Sequence, residues 1–176
     1  MPSPLIQPAP GFDQPVAALV ACHERIAKQL AILERLPAHM HAHGADAEAQ
    51  RAATGVIRYF DTSAPHHHAD EEVDLFPRMA TRAIEGDVRT VSVLTSELRE
   101  EHVAMDEAWE RLRPSVAAIA AGNSAEVDAT NFIARYRDHM AREESDLFPL
   151  AKKLLMAEDL RAMGEAMAAR RGLSPP

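Results

Sequence analysis

The stretch His67-His-Ala-Asp-Glu71-Glu-Val-Asp-Leu-Phe-Pro77 returns 72 residues later as His139-Met-Ala-Arg-Glu143-Glu-Ser-Asp-Leu-Phe-Pro149, with eight of eleven positions identical. Each copy sets a histidine four residues ahead of a glutamate. On a helix that spacing puts both side chains on one face, one turn apart. An offset near half of the 176-residue chain fits two helix-pair halves related by a pseudo-twofold axis better than a solenoid array.

The sequence around the two copies is helical in pattern. Only seven glycines and 5% aromatic residues, with abundant Ala, Leu, Arg and Glu, favour helix over strand. Val16, Val20, His23, Ile26, Leu30 and Leu33 form one apolar stripe, which Pro37 is expected to end, leaving 37–44 as a connection. A second helix over about 45–79 carries Ile57, Phe60, His67, Glu71 and Leu75, with a kink or interruption expected at Pro65. A third over about 89–112 carries Val91, Leu98, His102, Met105, Trp109 and Leu112; Pro114 should bend the chain and Gly122 stop it. A fourth over about 125–156 carries Phe132, Tyr136, His139, Glu143, Leu147 and Leu150, and a shorter amphipathic segment covers 158–171. The expected architecture is all-α: an up-down-up-down antiparallel four-helix bundle with a short C-terminal helix and a pseudo-twofold internal repeat. Its expected bounds are a Pro-rich extension at 1–12, the bundle at 13–156, and the C-terminal helix and tail at 157–176.

Composition excludes several classes. Lys+Arg number 19 against 27 Asp+Glu, a net charge of −8, so no surface is set to neutralise a run of nucleic-acid phosphates. Cys22 is the single cysteine, which rules out an internal disulfide and favours a reducing compartment. The longest apolar run, Val16 to Cys22, is far short of the roughly 20 residues that cross a bilayer. The N-terminus has neither the basic region nor the apolar region of a secretory signal. A soluble cytoplasmic protein with neither nucleic-acid nor membrane partners is expected.

The chemistry lies on the inward faces. Each stripe carries one histidine (His23, His67, His102, His139), and the second and fourth add Glu71 and Glu143. A buried charge costs several kcal/mol unless it is paired or bound to metal, so six such donors in one core point to a metal centre. Four imidazoles and two carboxylates suit iron, manganese or zinc. The pseudo-twofold assigns His23 with His67 to one metal and His102 with His139 to the other, with Glu71 and Glu143 bridging. Glu72 and Glu144 are expected to face solvent or to hydrogen-bond a ligand histidine from behind. His66 and His68 sit about 100° to either side of His67, which predicts a solvent or rim position. His39, His41 and His43 read as a polar connection, Tyr136 as packing and Cys22 as a small core residue.

The doubled H-x-x-x-E-E-x-x-L-F-P, with lone histidines on the first and third helices, resembles the bacterial hemerythrin-like HHE cation-binding family over about 16–155. The resemblance implies a non-haem di-iron centre, of the kind an oxo or hydroxo group can bridge, held by His23, His67, Glu71, His102, His139 and Glu143, with zinc or manganese as substitutes. It implies binding of dioxygen or nitric oxide, or sensing of iron or redox state, with no protein partner identified. Alternatives it leaves open are a di-iron oxidase or peroxidase, iron-centre repair, or a zinc-loaded structural bundle. A gas- or metal-binding protein ranks above an enzyme, because the set is nitrogen-rich and the His-x-x-x-Glu order is the reverse of the Glu-x-x-His of ferritin-like oxidases. Oxygen-carrying hemerythrins have a second histidine one turn along the third helix; here that position is Asp106. Glu144, one residue beyond Glu143, is an alternative ligand, and so is Asp106.

Overall fold

A computed structural model describes residues 11–176. Most of the Pro-rich extension expected at 1–12 therefore lies outside the described residues. Eight α-helical segments follow in order: α1 (Pro15–His43), α2 (Ala47–Arg58), α3 (Ala64–Ala69), α4 (Phe76–Arg82), α5 (Glu85–Ala120), α6 (Thr130–Arg142), α7 (Phe148–Leu154) and α8 (Ala157–Arg170). No strand occurs among the described residues. Three π-helical turns, Tyr59–Ser63, Asp70–Leu75 and Glu143–Leu147, join α2 to α3, α3 to α4, and α6 to α7 without leaving the helix. The chain thus makes four main rods, with α1 and α5 each packed against α2 and α6 as a helical bundle.

Proline explains the π-turns. Each one ends two residues before a proline at the second position of the next helix, Pro65, Pro77 or Pro149. A proline ring has no N–H and collides with the carbonyl four residues back in a regular helix. Widening the turn relieves that collision, and the residue before each proline donates five residues back instead: Ala64 to Tyr59, Phe76 to Glu71 and Phe148 to Glu143. The expected interruption at Pro65 is therefore a wide turn inside a continuous rod. The two Leu-Phe-Pro segments likewise carry their helices onward, with Leu75, Phe76, Leu147 and Phe148 all buried.

Two expected breaks do not occur. α1 continues through Pro37 to His43, so the His39, His41 and His43 cluster is helical rather than a connection, and α5 continues through Pro114 to Ala120. A single proline removes one helical hydrogen bond. Burial of Leu33 and Leu36 around Pro37, and of Val116 and Ile119 beyond Pro114, outweighs that loss. Gly122 does end the third rod, with φ at 81°. The fourth rod starts at Thr130, later than its periodicity suggests.

The apolar core comes in two clusters. One gathers Cys22, Ile26, Val56, Phe60, Met105, Trp109, Phe132 and Tyr136; the other gathers Leu19, Leu75, Phe76, Leu98, Leu147 and Phe148. On every rod a histidine falls between the two: His23 after Leu19, His67 before Leu75, His102 after Leu98 and His139 before Leu147. A polar belt thus cuts the bundle core in two. α8 lies across α1 and the Asp70–Leu75 turn, tied at its start by Arg82 to Asp159 and at its end by Arg170 and Arg171 to Asp70.

Candidate metal centre

The belt brings together all six residues expected from sequence. His23, His67, Glu71, His102, His139 and Glu143 are each 3% exposed or less. They form two groups that share both glutamates: His23, His67, Glu71 and Glu143, and His102, His139, Glu71 and Glu143. Within each group the ligand atoms lie within 4.8 Å of one another. The carboxylates divide their oxygens between the groups. Glu143 places Oε2 3.0 Å from His23 Nε2 and Oε1 3.0 Å from His139 Nε2. Glu71 places Oε1 3.4 Å from His67 Nε2 and Oε2 3.5 Å from His102 Nε2. Each glutamate therefore spans from one histidine pair to the other, as the pseudo-twofold requires.

The repeat acts through backbone as well as side chains. Glu71 and Glu143 hold equivalent places in their π-turns, each giving its carbonyl to the phenylalanine five residues on. One glutamate from each half thus approaches the centre from a matching wide turn.

Three imidazoles are fixed from behind by carboxylates. His23 Nδ1 meets Glu144 Oε1 at 2.8 Å, His102 Nδ1 meets Glu72 Oε1 at 2.6 Å, and His139 Nδ1 meets Glu101 Oε2 at 2.7 Å. A carboxylate on Nδ1 keeps the proton there and leaves Nε2 with its lone pair toward the centre. Glu72 and Glu144 therefore do what the sequence suggests, and Glu144 stands behind His23 instead of joining the cluster. Glu101 was not legible: it precedes His102 on α5 but serves His139 on α6, where Arg142 holds it in place. No motif spacing encodes a contact between helices.

His68 departs from expectation. It is 7% exposed, not at a solvent-facing position, and stacks on His102 with centroids 4.0 Å apart. The wide turns on both sides of α3 alter the simple 100° bookkeeping that put it on the rim. Asp106 does not reach the cluster; its carboxylate is mostly exposed and lies 3.8 Å from His68 Nδ1. Tyr136 packs among Phe60 and Phe132, as expected.

The electrostatics favour a cation. Glu71 and Glu143 have no hydrogen-bond partner for any of their four carboxyl oxygens, and His23 Nε2 and both His67 nitrogens are also buried without one. Burial and the adjacent Glu143 push Glu71 well above the usual carboxylate range. Burial opposes ionisation of Glu143 too, but its contacts with His139 and His23 more than reverse this and hold it well below. Burial lowers His67 to about 3. Without a cation, then, one carboxyl keeps its proton beside an ionised one, because two close carboxylates resist ionising together. A metal ion satisfies the orphaned oxygens and lone pairs at once, so the donor set fits one. A groove of about 800 Å³ lies at the surface between α5 and α7 and is lined by none of these donors.

Comparison with known proteins agrees. The family described as Hemerythrin HHE cation binding domain matches residues 14–151. A protein of Haemophilus influenzae, described only as uncharacterized, is 29% identical over 163 residues, covering 91% of each chain. No helix among the described residues is long and apolar enough to cross a membrane.

Proposed function

The chain belongs to the hemerythrin HHE cation binding domain family, and on that premise we propose that the buried cluster holds two iron ions and binds a small diatomic ligand, dioxygen or nitric oxide, or reports iron or redox state. The observation that carries this reading is the division of Glu71 and Glu143 oxygens between the two histidine pairs, the arrangement a pair of bridged metals requires. His23 and His67 would hold one ion, His102 and His139 the other, and the two glutamates would bridge. Zinc and manganese suit the same donors. The up-down-up-down antiparallel order belongs to this reading; the ring of packed rods and the short connections at 44–46 and 83–84 support it. A cytoplasmic location goes with it as well.

Iron held there would supply a redox-active Lewis acid for a diatomic ligand. The protein's own part is to orient and to exclude water. Glu144, Glu72 and Glu101 hold protons on Nδ1 of His23, His102 and His139 and so keep Nε2 free to bind metal. The two apolar clusters close the belt from both ends, which lowers the local dielectric and strengthens each donor's pull on a cation. A structural zinc bundle is the second reading, favoured by the complete burial of all six donors.

Elemental analysis of protein purified without oxygen, followed by its absorption spectrum before and after dioxygen and nitric oxide, tests this directly. Two irons per chain and a spectrum that responds to either gas are expected. Stoichiometric zinc with no response establishes the structural reading instead, and substoichiometric metal with an unperturbed fold refutes both.

A further inference from the structure

A second group of histidines closes α1, about 24 Å of helix beyond His23. Because α1 runs through Pro37 to His43, His39 and His43 stand one turn apart on one face, and His41 lies about 200° around the helix. The His39 and His43 ring centroids are 4.8 Å apart. Two imidazoles on one ion, each with a metal–nitrogen bond of about 2.0–2.1 Å, hold their ring centres about 5 Å apart. The pair therefore has the spacing of a chelate. The turn after the helix adds a carboxylate. Gly44, with φ at 67°, turns the chain so that Asp46 Oδ1 comes to 3.0 Å from His39 Nε2. The same oxygen accepts from the amides of Glu48 and Ala49 as the N-cap of α2, which fixes the carboxylate in place. His39 donates to it from Nε2, and this leaves the Nδ1 lone pair for another partner.

We propose that His39 and His43 chelate one divalent transition-metal ion from solvent, copper, nickel or zinc, with Asp46 orienting His39 from behind. The site is separate from the buried centre and holds whether or not that centre is filled. Imidazole suits these three ions, and water completes their coordination. Asp46 is a positioning residue, since its Oδ1 already takes three hydrogen bonds. The backbone favours a cation here as well: His43 is the last residue of α1, and a helix C-terminus carries partial negative charge. Access differs from that of the belt. His43 is exposed and the His39 side chain is 24% exposed, whereas every donor of the belt is closed off. An ion in solution, or one tethered to a surface, can therefore reach this pair and not the other.

Copper is the probe, because it heads the affinity order for such donors. The full chain without a tag is passed over Cu²⁺ held on an iminodiacetate resin and eluted with imidazole. Wild type should be retained. His39→Asn and His43→Asn should each abolish retention as completely as the double substitution, and His41→Asn should leave it intact. Asp46→Asn, which can still cap α2, should weaken binding of free Cu²⁺ about tenfold. A second measurement needs no variant. The buried centre of wild type is filled with zinc, loose ions are removed on a desalting column, and Cu²⁺ is added below one equivalent. The ring proton signals of His39 and His43 should broaden before those of any other histidine. Retention that survives in the double variant overturns the proposal. So does a partial, similar loss from each of the three single histidine substitutions, which is the mark of independent contacts. Broadening that spares His39 and His43 overturns it as well.

Discussion

His102 and His139 point their Nε2 atoms at each other across 3.1 Å, while the Nδ1 of each rests on a carboxylate, Glu72 and Glu101. With both protons held on the Nδ1 side, two lone pairs face each other in a dry core. Only a cation or an added proton makes that arrangement favourable. In its absence the proton is the alternative: burial alone would lower His139, but contact with Glu143 raises it above its ordinary value. Metal and proton thus compete for the same atoms.

That competition fixes the pH dependence. Glu71 and His139 both have raised pKa values in the metal-free protein, so both hold protons at a pH where isolated groups would begin to lose them. Loading displaces those protons, and higher pH therefore favours metal. His67, lowered to about 3, is already neutral and does not compete. Apparent affinity should rise about tenfold per pH unit for each displaced proton, and metal should be lost as pH falls below about 6. Metal titrations at pH 6, 7 and 8 with a competing chelator check this; an affinity independent of pH would refute it.

Shared bridging predicts unequal stoichiometries. Glu71→Ala or Glu143→Ala removes an oxygen from each histidine pair and should release both metals. His23→Ala or His102→Ala touches one pair and should leave about one metal per chain. Elemental analysis of each variant decides between this and independent sites, for which every single substitution would cause a similar small loss.

Carboxylates behind the ligands should tune affinity without setting the count. Glu72→Gln, Glu101→Gln and Glu144→Gln each remove the charge that holds a proton on Nδ1. Each should weaken metal binding by about 10–100-fold while two metals still bind at saturation. Competition against a chelator of known affinity provides the measurement. Unchanged affinity in all three would mean that these contacts are incidental.

α8 should matter for stability through the turn that carries Glu71. Asp70 is 1% exposed and is paired with both Arg170 and Arg171; Arg170 also holds Asp74 at 2.6 Å. Replacing both arginines with alanine leaves the buried Asp70 carboxylate unpaired and Asp74 with Arg78 alone, which should cost about 3 kcal/mol. Urea unfolding reads that loss as a lower midpoint. A midpoint within experimental error of wild type would show that the turn does not depend on α8.

Most of the centre was legible because its signal is local. His67 to Glu71 and His139 to Glu143 are spaced by one helical turn, and the repeat ties the two pairs together by symmetry. The lone His23 and His102 were found because each interrupts an apolar stripe at the level where the partner rods carry theirs. The misplaced elements have a common cause. Pro37, Pro65 and Pro114 read as breaks because local propensity is all that a sequence window offers. In the bundle, burial of the flanking leucines, valines and isoleucines carries the helix past Pro37 and Pro114, and a π-turn absorbs Pro65.

By itself the sequence determined the helical class, the twofold repeat and the six histidines and glutamates of the belt, since these follow from spacing along each helix and from the match between the two halves. Tertiary structure alone decided which oxygen faces which histidine, that Glu101 reaches across from α5 to α6, and that His68 is buried against His102 while Asp106 stays outside. Those relationships depend on the rotation and depth of one rod against another. That is set by core packing and by the three π-turns, and no periodicity within a single segment records it.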